Sequence, residues 1–168
     1  MSLRDHLRTV TPPWVQLLVS GRAPLASLRP LPPDFVVREI DGRRCGTRAA
    51  CLAEISRALA FPAYFGGNWD ALDECLSDLE WLPGAGYLLV FRDADRLLTG
   101  AEEDYRTLID VLEGAGQEWS APRSSPPRAA LPFHAILAVT SRGRRARRDW
   151  GVPAAAVDRE RPPPRRRE

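Results

Sequence analysis

The chain has no lysine; all 24 of its basic residues are arginine. With 16 prolines alongside, this is a habit of the whole composition, so no single guanidinium stands out as chosen for its shape. Cysteine is scarce. Cys45, Cys51 and Cys75 make no C-x-x-C pair and leave one over in any pairing, which points to reduced thiols and the cytoplasm rather than a disulfide framework. The only two histidines, His6 and His134, have no zinc-ligand spacing around them and read as structural or solvent-exposed. No phosphate-binding glycine motif is present, and no metal or cofactor is implied. Long apolar runs are also missing, and Arg4, Asp5 and Arg8 have no apolar stretch behind them. The expectation is therefore a protein without a leader or membrane span.

Charge is plentiful but separated. Between Asn68 and Glu118 there are 13 acidic residues against three arginines, Arg92, Arg96 and Arg106. From Arg142 to Glu168 there are ten arginines against four acids. A formal net charge of +2 hides both regions.

With 168 residues, the chain accommodates one domain plus tails, enough to bury a core without disulfides. Residues 1–33 are broken by prolines and read as an irregular extension, although Trp14–Val19 has the composition of an edge strand or a short helix. Residues 34–140 read as the domain. Asp34–Ile40 is a β-branched strand, and Thr47 caps a helix reaching Ala60. A second helix starts at Asn68, and Tyr87–Phe91 is a second strand. A third helix opens at Thr99 or Gly100 and stops at Gly114 or Gly116. Glu118–Pro132 is a surface loop, and Ala135–Thr140 a third strand. Residues 141–168 read as a disordered Arg/Pro-rich tail. Apolar strands alternating with helices give an α/β class: a small three-stranded parallel sheet with packed helices in β-α-α-β-α-β order.

The most informative stretch is Phe61–Leu76, FPAYFGGNWDALDECL. A loop with two aromatics and two glycines, suited to positive φ, runs into Asn68 at a capping position. Asp70, Asp73 and Glu74 follow, with Asp70 and Glu74 on one face at i and i+4. Leu72, Cys75, Leu76 and Leu79 form the opposing apolar stripe. The element presents carboxylates outward beside aromatics, a surface suited to a cationic partner. Taken alone, such acids are more often solvated complements to the helix dipole. Phe65 and Trp69 divide evenly between core and interface, Tyr64 is the better candidate for exposure, and Trp81 and Trp119 read as local packing.

This stretch, with the element order around it, resembles the barstar family of ribonuclease inhibitors. Pro62, Tyr64, Phe65, Gly66, Asn68, Asp70, Ala71 and Leu72 match the family pattern in register. The resemblance spans roughly 34–140 and implies a protein that plugs the active site of a basic ribonuclease. By the same resemblance, Tyr64 is the aromatic packed on the enzyme, Asn68 opens the binding helix, and Asp70 is one contacting acid. Glu74 takes the place of the second, an Asp that stands in for a substrate phosphate. Asp73 and Trp69 depart from the family residues, and a further acid falls near Glu113. The implied partner is a basic nuclease, met by a monomer with no catalytic residues of its own. The resemblance thus implies an immunity-type inhibitor.

Two other functions compete with it. The arginine tail is a candidate for binding nucleic acid through phosphates. Asp70 and Glu74 form the spacing of a catalytic acid pair, but nothing supplies a nucleophile or base beside them.

Overall fold

The computed structural model describes residues 1–21, 23–147 and 149–155. In chain order the elements are α1 (Leu3–His6), β1 (Val15–Val19), α2 (Pro24–Leu28), β2 (Phe35–Asp41), α3 (Arg48–Ala58), α4 (Trp69–Asp78), β3 (Gly86–Arg92), α5 (Glu102–Trp119), β4 (Arg123–Ser124), β5 (Pro127–Arg128), β6 (Phe133–Val139) and α6 (Ser141–Arg144).

Four strands, not three, form the parallel sheet, in the order β1-β6-β3-β2. Every register pair is parallel, from Val15 opposite Ala135 to Phe35 opposite Gly86. β3 and β6 are apolar along almost their whole length because both faces are covered. On one face Val36, Ile40, Leu89, Phe91 and Leu137 join the inward stripes of α3, α4 and α5. On the other, Leu88, Val90 and Ile136 pack under Leu3, Leu7 and Leu28 of the N-terminal segment. From β1 the chain crosses to the far edge through α2, then steps back over the opposite face. Right-handed crossovers dictate that change of face.

Three expectations need correction. The fourth strand comes from the stretch expected to be irregular: β1 sits at the sheet edge, so the flanking prolines leave its ladder intact. The same segment holds His6 against His134, with ring centroids 4.9 Å apart, so neither histidine is exposed.

The third helix does not stop at its glycines but runs on to Trp119. Gly116 is there because the Trp14 ring lies against it, where a Cβ would overlap.

The expectation of a disordered tail over 141–168 does not hold for its described part. Residues 141–147 and 149–155 fold back, Arg147 and Trp150 are buried, and Leu17 accepts from Ala155 and donates to Pro153. Arg148 and residues 156–168 lie outside the described residues. The expected surface loop carries a two-residue ladder between β4 and β5. Among the described residues no helix is long and apolar enough to cross a membrane.

Candidate functional site

The loop before α4 is shaped by its own aromatics. Phe61 stacks edge-on against Phe65 at 4.9 Å and against Trp81 at 5.7 Å, which turns Phe65 inward onto the core. Tyr64 has no such partner and remains 70% exposed. Gly67 adopts φ +68°, the left-handed region that favours glycine. Gly66 does not, so its expected positive φ is absent; a Cβ added there would meet Ala71 and Asn68 at an ordinary 3.6 Å.

Asn68 caps the helix as expected, its Oδ1 accepting the Ala71 N–H at 2.8 Å. Leu72, Cys75 and Leu76 face the core, and Asp70, Asp73 and Glu74 are exposed. No ion pair among the described residues involves these three carboxylates. Their charge is therefore available to an incoming cation.

Trp69 belongs with the core. Half-buried, it donates through Nε1 to Asp104 Oδ1 at 3.1 Å and so ties α4 to the start of α5. At the other end Trp119 donates to the Leu76 carbonyl at 2.7 Å. Arg128 lies over the Trp119 ring at 3.5 Å and donates to the Ser77 carbonyl at 2.7 Å. Cations on the last carbonyls complement the helix dipole. Both ends of α4 are held, which makes its acidic face a stiff ridge.

Glu113 is not brought to the centre of this ridge. It is half-buried; desolvation raises its pKa, while the backbone amides of Val15 and Trp14 pull the other way. The residue of α5 that meets the ridge is Gly114, where an added Cβ would stand 3.9 Å from Asp73 Oδ1. A helix turns about 100° per residue, so the neighbouring Glu113 points toward the edge of β1 instead.

The structure adds Asp78. With Asp70 and Glu74 it completes an i, i+4, i+8 stripe, a spacing already present in the sequence. A shallow cleft opens between Tyr64 and the helix, lined by Phe65, Ala71, Glu74, Cys75 and Asp78. Partial desolvation, then the Asp78 charge, raise the pKa of the Tyr64 hydroxyl. An aromatic ring beside a row of unpaired carboxylates is suited to a guanidinium, ammonium or imidazolium group.

The family model for Barstar (barnase inhibitor) matches residues 35–137. That span runs from the first residue of β2 almost to the end of β6 and contains the whole ridge. No curated protein matches the chain.

Proposed function

The chain belongs to the barstar family, and from that premise we propose that it inhibits a basic ribonuclease by laying α4 across the enzyme's active site. The observation that carries this reading is the ridge itself. Three exposed, unpaired carboxylates stand beside an exposed tyrosine on a helix held at both ends.

A nuclease active site is lined with cations because it must hold phosphates. A fixed row of carboxylates offers the complementary potential, speeding encounter and excluding neutral or acidic partners. Asp70 and Glu74 take charge-assisted hydrogen bonds from the enzyme, Tyr64 supplies the aromatic anchor, and Asn68 sets the helix start. Asp73 widens the charged face. No covalent step is involved. Acting as a monomer in the cytoplasm, such an inhibitor serves as an immunity protein that shields RNA from a toxin-like nuclease.

The test is inhibition of a barnase-type ribonuclease by the full chain and by the double reversal Asp70→Arg, Glu74→Arg. Both side chains are exposed, so the variant should fold with an unchanged melting temperature and lose inhibition by at least a hundredfold. Undiminished inhibition by a folded double variant would reject the site.

A further inference from the structure

We propose that the carboxyl end of the sheet carries a second, basic interface, which binds the phosphate backbone of duplex nucleic acid through Arg142, Arg144 and Arg145. Parallel strands bring three connections to this end: the turn Gly42–Arg44 after β2, the turn Ala94–Arg96 after β3, and α6 after β6. They pack side by side. α6 leans on the middle turn so closely that a Cβ at Gly143 would stand 3.0 Å from Asp95 Oδ1.

A four-residue helix cannot hold itself together in water. This one is fixed from outside. Thr140 Oγ1 accepts the Gly143 N–H at 3.1 Å, and Trp150 donates to the Arg144 carbonyl at 3.1 Å. Arg147, only 7% exposed along its side chain, lies flat on the Tyr105 ring at 3.5 Å. Its guanidinium donates to the Leu97 carbonyl at 2.6 Å and to Glu102 at 3.2 Å. Trp150 and Arg147 thus clamp a turn whose outward charged residues are Arg142, Arg144 and Arg145. All three are exposed, and among the described residues none forms an ion pair. Arg43 and Arg96 beside them are engaged with Asp41, Asp93 and Asp95. The three unpaired cations are therefore displayed on an ordered surface.

The surroundings select the partner. Among the described residues the exposed large apolar side chains are Met1 and Tyr64, neither of them in the three connections, so none of these residues offers an anchor for lipid. Among the described residues no aromatic is exposed at this end, so unpaired bases find no ring to stack on there. What remains is charge directed at phosphates, the mode of contact that positions a protein on a duplex without reading sequence.

The inference stands apart from the inhibitor reading, since none of these arginines lies on α4 or α5. Its test is fluorescence anisotropy of a labelled RNA duplex titrated with the full chain over a series of salt concentrations. Binding should weaken steeply with salt. The triple variant Arg142→Ser, Arg144→Ser, Arg145→Ser should bind at least tenfold more weakly, with a log–log salt slope shallower by about 2–3. Its melting temperature and its inhibition of a ribonuclease should not change. A chain ending at Ala155 should retain the binding. No salt-dependent binding by the full chain, unchanged binding by the triple variant, or binding lost with residues 156–168 would each overturn the proposal. So would tighter retention on phosphatidylserine vesicles or on polyglutamate than on the duplex.

Discussion

Tyr64 keeps its ring in solvent on a loop whose other aromatics turn inward, and nothing in the fold requires it there. Its removal should leave stability within about 0.5 kcal/mol, the usual range for an exposed position. As an interface anchor it should be worth about 2 kcal/mol of binding, or roughly thirtyfold in affinity. Tyr64→Ala, followed by titration calorimetry against the ribonuclease and by thermal melting, separates these effects. A change in melting temperature without a change in affinity would make Tyr64 structural.

His134 behaves in the opposite way. Burial pushes its pKa down to about 4, opposed by the bond to the Thr9 carbonyl and assisted by the charge of His6. Between about pH 6.5 and pH 4 the unfolded chain takes up a proton there that the fold refuses. Stability therefore rises with pH across that window and falls on acidification, by about 3 kcal/mol in full for a shift of this size. Chemical denaturation at pH 4 and pH 7 should show the loss. His134→Gln, which keeps a donor for Thr9, should shrink the difference between the two.

At the scale of the element, α4 was almost fully legible. A capping Asn, an apolar stripe and an acidic face are local signals, and the structure returns them with the expected cap and burial. The later helix was not, because its glycines read as stops. Gly114 is exposed with room around it, whereas Gly116 is buried under Trp14, more than a hundred residues earlier in the chain. No window around residue 116 contains that information.

The two glycines should accordingly respond to alanine in opposite ways. Gly114→Ala removes backbone freedom in a helix and should stabilise by up to about 1 kcal/mol. Gly116→Ala gains the same term but forces the Trp14 ring aside, and overpacking of that kind costs about 1–3 kcal/mol. Thermal melting of the pair checks the signs. A stabilised Gly116→Ala would mean that Trp14 is not seated as described.

For the whole molecule, what escaped the sequence reading is long-range pairing at one edge. Val15–Val19 carries no signal that its partner is β6, and the arginines of 142–147 masked the anchoring role of Arg147 and Trp150. The N-terminal segment and residues 149–155 both pack onto the sheet outside the family span 35–137. β1 would otherwise leave backbone groups free along its outer side, an invitation to pair with another copy. Residues 153–155 occupy it at Leu17, through bonds of 2.8 Å in each direction. Trp150 is closed over Tyr105, whose hydroxyl donates to the Trp150 carbonyl at 2.7 Å. A chain ending at Ala155 should therefore melt with the full chain. One ending at Thr140 loses the buried tryptophan, for which about 3–5 kcal/mol is typical, and also uncovers the edge of β1. It should melt well below the full chain and self-associate with rising concentration in analytical ultracentrifugation. Equal melting of the two shortened chains would show that the returning segment contributes nothing to the fold.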